Sequence, residues 1–268
     1  MPRPVRISGP AYDREHSALA LAGADAYDWP RLLDGADWFH TTGITPSLSA
    51  AAAAATRAAM RAARERGMTV SCDLNFRRKL WRWQPGVAPR DLAEATMREL
   101  LPLMDLVIAN EEDAAEVLGI RAEGTDVDAG RLAVERYPGV AREIVRQFPN
   151  LRHVAFTLRE SVSADHNRWG GMLYAADGDG AVFAPVRDGR YAPYEIRDIV
   201  DRIGGGDAFG AGLIFALRTW GLDSPGRAVA FAAAASCLAH TVVGDYNYAT
   251  RAEVEALAEG AGTGRVQR

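Results

Sequence analysis

Lysine is nearly absent. Of the 31 lysine and arginine residues in this 268-residue chain, only Lys79 is a lysine, and alanine is correspondingly abundant. We read that as compositional bias rather than function. Two cysteines, Cys72 and Cys237, form neither a disulfide framework nor a metal-spaced set, so they read as inert core thiols in a reducing compartment. Five histidines (His16, His40, His153, His166 and His240) are scattered without ligand spacing. Positive charge is not in excess. The net charge of −4 leaves no basic footprint for nucleic acid, and Trp38, Trp81, Trp83 and Trp169 read as packing residues rather than a base-stacking set. No uncharged apolar run is long enough to span a bilayer, and residues 1–11 lack a signal-peptide pattern, so a cytoplasmic protein with no membrane partner is expected. No repeat or low-complexity linker interrupts the chain, which predicts one domain over 1–268. No Gly-x-Gly-x-x-Gly follows an early strand, which weighs against a dinucleotide-dependent oxidoreductase.

What is present is an alternation of short apolar strands with longer helices. Strands are expected at 18–22, 36–45, 69–73, 106–110 and 153–158, and a hairpin at 170–185 around 177–180. Helices are expected at 49–66, stopped by Gly67, and at 89–101, 111–118, 208–217, 227–240 and 252–259. Residues 121–150 read as a charged helical segment, and 161–168 as a polar stretch, either a pocket wall or a solvated loop. This alternation predicts a parallel sheet covered on both faces, with ligands outside the carboxyl ends of the strands. Three polar clusters fall at such ends: Asp73-Leu-Asn75-Phe-Arg77, Asn110-Glu-Glu112-Asp113 and Thr157-Leu-Arg159.

The stretch that organises the rest is Asp201-Arg-Ile-Gly204-Gly205-Gly206-Asp207, followed by an apolar small-residue helix. Glycines opening a helix offer unpaired N–H groups, aided by the helix dipole, to an anion. Asp207 at that opening could take a proton from a hydroxyl; read alone, it could equally be a helix N-cap. Asp-x-x-Gly-x-Gly-Asp with its small-residue helix resembles the C-terminal signature of the ribokinase-like (PfkB) carbohydrate kinases. The resemblance implies a ribokinase-like, Rossmann-like three-layer α/β sandwich with a mainly parallel central sheet. It also implies that Asp207 is the catalytic base and that Gly204, Gly205 and Gly206 form the anion hole.

The remaining clusters extend the resemblance. Asp73, Asn75 and Arg77, with Leu80-Trp81 beyond, resemble the Asp-x-Asn-x-Arg…Leu-Trp segment of the 2-keto-3-deoxygluconate kinases, where the arginine meets the acid end of the substrate. Tyr12-Asp-Arg14 resembles the same branch, whose tyrosine and arginine line the sugar-acid pocket. Asn110, Glu112 and Asp113 resemble the family's Asn-x-x-Glu motif, which positions magnesium and phosphate; aspartate replaces glutamate at its last position. Thr157 and Arg159 occupy the place of a Thr-Leu-Gly loop over the nucleotide, with arginine where the family has glycine. The Gly244-Asp-Tyr-Asn247 loop falls on the adenine side, with K⁺ as a further candidate ligand.

The resemblance covers about 12–255. The family's N-terminal strands, Gly-Gly-x-x-x-Asn segment and β lid have no counterpart before Tyr12, so the expected sheet lacks those strands and its exposed edge favours a homo-oligomer. The function implied is an ATP- and Mg²⁺-dependent sugar-acid kinase acting on 2-keto-3-deoxygluconate. Its rivals are another PfkB sugar or nucleoside kinase and a truncated, non-catalytic nucleotide-binding relic.

Overall fold

The computed structural model describes residues 13–120, 133–178 and 180–260. Helices α1 (Ala18–Leu21) and α2 (Trp29–Leu32) precede β1 (Trp38–Thr42), α3 (Ile44–Ser47), α4 (Ala50–Glu65) and β2 (Thr69–Asp73). The chain continues through α5 (Pro89–Leu100), β3 (Leu106–Ala109), α6 (Glu111–Leu118), α7 (Tyr137–Gln147), β4 (His153–Ser163) and β5 (His166–Ala175). Short strands β6 (Gly180–Ala184), β7 (Val186–Arg187), β8 (Arg190–Tyr191) and β9 (Tyr194–Ile196) lead into α8 (Gly205–Trp220), α9 (Pro225–Ala239) and α10 (Arg251–Ala258). Among the described residues the strands form one seven-stranded sheet in the order β1-β2-β3-β4-β5-β6, with β9 on β5, and a separate β7–β8 ribbon. Strands β1 to β4 are parallel; β5 runs antiparallel to β4, β6 and β9. The mainly parallel sheet between two helical layers is the three-layer sandwich expected.

Side-chain alternation on the strands builds the two layers. Val107 and Ala109 of β3, with Val154, Phe156 and Leu158 of β4, face the core made with α4, α5, α6 and α7. Leu106, Ile108 and Ala155 face the opposite core, made with α8, α9 and α10. There Phe209, Leu213 and Leu217 are fully buried, each contributing about 1.5–3 kcal/mol of apolar transfer. The small residues of α8 and α9 serve close approach. A Cβ on Gly212 would stand 3.1 Å from Ala232 Cα, and one on Gly171 would stand 2.6 Å from the Phe209 ring.

Two segments depart from the sequence expectation. Residues 18–21 form a helical turn, not a strand, because Ser17 caps it by accepting the Ala20 N–H and because alanine and leucine favour helix. The fourth strand runs past 158 to Ser163, and 161–168 is the tip of a β4–β5 hairpin rather than a loop. Cross-strand hydrogen bonding over ten residues of β5 overrides the weak strand propensity of that polar run.

The carboxyl ends of β1 and β2 are locked together at Gly43. Its N–H donates to Asp73 O at 2.8 Å, and Leu74 N–H donates to Ile108 O at 2.9 Å. A Cβ on Gly43 would stand 2.1 Å from Leu74 O, a backbone atom already fastened on the β3 side. Gly43→Ala should therefore cost about 3 kcal/mol. Thermal unfolding should show this as a fall in Tm of roughly 6–12 °C; an unchanged Tm would contradict the packing.

Candidate active site

Three chain segments converge at the carboxyl edge of the sheet. The first is the loop leaving β2. Asn75 adopts a left-handed backbone (φ 41°), which turns the chain sharply and brings its N–H onto the Asp73 carboxyl. Such a conformation is tolerated better by asparagine than by most residues. The second is the start of α6, closed by a capping box. Asn110 Oδ1 accepts the N–H groups of Glu112 (2.8 Å) and Asp113 (2.9 Å), while Asp113 Oδ2 accepts the Asn110 N–H at 3.2 Å. Asp113 Oδ1 accepts the Phe76 N–H at 2.9 Å, so one carboxylate ties the two loops together. Asp113 is only 2% exposed. Burial pushes its pKa up to about 6, opposed by the N–H groups of Phe76 and Asn110.

The third segment opens α8. Gly204 takes the left-handed region at φ +77°, and no side chain caps the helix, so the first-turn N–H groups have no side-chain acceptor. The glycines are required for separate reasons. A Cβ on Gly204 would meet Asp245 backbone at 2.7 Å, and one on Gly205 would meet the His240 ring at 2.8 Å. Nothing lies within 4 Å of a Cβ on Gly206, which faces open space. Asp207 sits exposed in this first turn, and its carboxylate has no hydrogen bond or ion pair among the described residues.

These segments wall a cleft of about 600 Å³. Arg14, Asp73, Asn75, Arg77, Asn110, Asp113, Thr157, Arg159, Gly204, Gly205, Gly206 and Asp207 all line it. Tyr12 lies outside the described residues. Glu112 is exposed and is not among the lining residues. Gly244 and Asn247 are not among them either. Gly244 N–H donates to Asp201 Oδ2 at 3.0 Å, and Asn247 Nδ2 donates to Ala235 O at 3.0 Å. Asp201 also accepts the N–H groups of Arg202 and Ile203, which hold its carboxyl below the usual range together with that of Gly244. The first aspartate of the glycine motif is thus a latch for the loop.

Sequence reasoning passed over several lining residues. Arg202 donates to Asn167 Oδ1 (3.2 Å) and to Ser163 O (3.1 Å), fastening the hairpin tip to the glycine loop. Asn167 and Trp169 are 1% and 5% exposed, and Asn167 Nδ2 and Trp169 Nε1 have no acceptor. They sit two apart on β5; Asn167 belongs to the polar 161–168 stretch, readable as pocket wall or loop, and Trp169 reads from the sequence as a packing residue. His240 donates from Nδ1–H to Ser236 O (2.8 Å), and burial lowers its pKa, with the Arg202 and Arg159 charges adding to that. Among the described residues no group of three or more His, Cys, Asp or Glu side chains could hold a metal ion.

Asp73 is the most perturbed carboxyl in the cleft. Burial raises its pKa to about 8, reinforced by the negative charges of Asp113 and Asp207 and opposed by the Asn75 N–H and Arg77. It therefore holds a proton at neutral pH and can donate a hydrogen bond.

No family model matches the chain. It is 32% identical over 266 residues to a 2-dehydro-3-deoxygalactonokinase of Haloferax volcanii, covering 98% of this chain and 69% of that protein. Among solved structures it is similar to the 2-dehydro-3-deoxygluconokinase of Thermotoga maritima, at TM-score 0.79 and 39% identity, over 93% of this chain and 69% of the other. It is also similar to a PfkB family carbohydrate kinase from Listeria grayi, at TM-score 0.71 and 29% identity, over 87% of this chain and 63% of that one.

The raised pKa of Asp73 sets a pH dependence of stability. The folded protein retains a proton that the unfolded chain releases near its ordinary value of 3.8, so folding is penalised as pH rises from about 4 to about 8. Chemical denaturation should show stability increasing from pH 8 to pH 5, with Asp113 adding to the slope between about 4 and 6. Asp73→Asn should flatten the slope and exceed the parent in stability at pH 8. A slope unchanged by the substitution would assign the effect to other groups.

Proposed function

Since the chain belongs to the PfkB family of carbohydrate kinases, we propose that it transfers the γ-phosphoryl group of ATP to the primary hydroxyl of a sugar acid, 2-keto-3-deoxygluconate. The observation that carries this reading is the junction at the start of α8. An uncapped helix N-terminus, a glycine facing open space and an unpartnered carboxylate share one cleft with four arginines. The fit to a polyphosphate rests on the donors. First-turn N–H groups, Arg159 and Arg202 offer hydrogen bonds, and Asn167 and Trp169 carry donors that lack acceptors.

Asp207 takes the proton of the attacking hydroxyl, for which its unpaired carboxylate is free. The N–H groups of Gly204, Gly205 and Gly206 hold the charge that develops on the transferring group. Arg77, on the loop after β2, pairs with the acid end of the substrate, and Arg14 lines the same cleft. Magnesium-ATP, when bound, supplies the electrophilic phosphoryl group. Both oxygens of Asp113 are already engaged by backbone N–H groups, and Glu112 is not on the cleft wall. The protein would therefore meet magnesium mainly through water beside Asn110 and Asp113, which suits an ion that keeps much of its hydration shell.

Asp207→Asn should lower kcat about 10³-fold while nucleotide affinity, read by calorimetry, changes little. Turnover comparable to the parent would remove Asp207 as the base. Arg77→Ala should raise KM for 2-keto-3-deoxygluconate about 10- to 100-fold, the loss of one charge-assisted pair, and leave fructose or ribose unaffected. An equal loss on acidic and neutral acceptors in the ADP-release assay would refute the sugar-acid assignment.

A further inference from the structure

A second cleft of about 510 Å³ lies between β1 and the outer side of α8. It shares Asp73, Gly206 and Asp207 with the first, and beyond them its wall includes His40, Ile214 and Phe215. His40 pairs in register with Ser71 across β1 and β2, and both project on the α8 side of the sheet, as do Trp38 and Asp73. Trp38 Nε1 lies 2.8 Å from the Ser71 hydroxyl, and His40 Nδ1 lies 2.8 Å from the same oxygen.

The proton positions in this chain follow from donor inventory. An indole N–H can only donate, so the Ser71 oxygen accepts from Trp38. That oxygen has room to accept a second bond, but among the described residues its hydroxyl proton has no other hydrogen-bond partner, so it is directed at His40, which accepts it at Nδ1. A neutral imidazole that accepts at Nδ1 carries its proton on Nε2. Ser71 is fully buried, so water does not compete for its hydroxyl. Desolvation lowers the pKa of His40, opposed by the charge of Asp207. His40 Nε2–H has no protein acceptor among the described residues, and Asp207 accepts no hydrogen bond that could account for it.

We propose that His40, its tautomer set by the Trp38–Ser71 relay, donates a hydrogen bond from Nε2 to an uncharged oxygen of the acceptor substrate. That oxygen is a non-reacting hydroxyl or the carbonyl, on the side of Asp207 away from Arg77. The proposal rests on the reading of Asp207 as the base of a kinase acting in this cleft. The surroundings fit the role. Gly210, Ala211, Ile214 and Phe215 provide apolar wall for a carbon chain, while Arg218 is occupied by a bidentate pair with Asp37. A neutral donor here would distinguish a polyhydroxy acid from an acid of the same length without the hydroxyl, because the N–H facing the bound substrate would be left unmatched.

The test uses the full chain, with 2-keto-3-deoxygluconate and analogues each lacking one non-reacting oxygen. His40→Phe keeps the ring's bulk without its N–H and should lower kcat/KM about tenfold on the parent acceptor, with ATP affinity unchanged. On one analogue the parent enzyme should already show that loss, and His40→Phe should add nothing to it. His40→Gln, whose amide nitrogen can reach the place of Nε2, should restore most of the activity. In the folded parent, ¹⁵N shifts of the His40 ring should report the Nε2–H tautomer and move on adding the acceptor. Equal kcat/KM for His40→Phe and the parent, or an equal further loss on every analogue, would overturn the proposal. If Asp207→Asn abolishes turnover while His40→Phe is silent, only the role of His40 fails. If Asp207→Asn retains turnover, or the parent binds no acceptor, the kinase reading fails with it.

Discussion

One buried carboxylate holds the working edge of the sheet in shape. Asp113 receives a backbone N–H from Phe76 and another from Asn110, so the loop after β2 and the first turn of α6 share one acceptor. Beyond the ends of β2 and β3 the two segments are joined by these bonds and by the Arg78–Glu116 ion pair at 2.7 Å. A buried carboxylate without those donors would cost several kcal/mol in lost hydration, so the two N–H groups and the carboxylate are mutually necessary. Asn75 and Arg77, on either side of Phe76, are positioned at this junction, while Asp73 is held by the register of β2 with β1 and β3.

The electrostatics of the cleft divide along the same line. Arg14, Arg77, Arg159 and Arg202 bring positive charge to its walls, and Asp73, Asp113 and Asp207 bring carboxyls to its floor. Three carboxylates so near one another could not all ionise cheaply. The structure resolves this by burying Asp113 and half-burying Asp73, so that desolvation raises both pKa values, and leaving Asp207 open to solvent. The one carboxyl with no hydrogen-bond partner is therefore also the accessible one, the combination a proton acceptor requires. The first-turn amides of α8 add a further donor field at the same point. Neighbouring groups thus have separate tasks because their environments differ, although three of them are the same residue type.

Much of this arrangement was legible in the residues. Asp73, Asn110 and Thr157 follow apolar runs that pair in parallel, which placed polar clusters on one edge, because strands buried on both faces read as apolar runs with their polar residues beyond them. The glycine run before Asp207 was legible because close backbone approach tolerates no other residue, as Gly204 and Gly205 show. Other features were not legible. Asn167 lay in a polar run that read equally as pocket wall or loop, and only pairing with β4 makes it a strand. The hydrogen bonds of Gly244 to Asp201 and of Asn247 to Ala235 join segments far apart in the chain, which no local pattern announces.

What the sequence alone determined was local: where helices begin and end, which strand ends are polar, and where glycine is obligatory. Caps, side-chain periodicity and backbone sterics act over a few residues, so they are written in order along the chain. Only the tertiary structure decided which groups share protons and charge. Asp73 and Asp207 are far apart in the chain, as are Asp113 and Phe76, and Trp38, Ser71 and His40 are joined only through the β1–β2 register. Hydrogen-bond partners and pKa shifts depend on distances of a few ångströms, which the fold sets and sequence spacing does not.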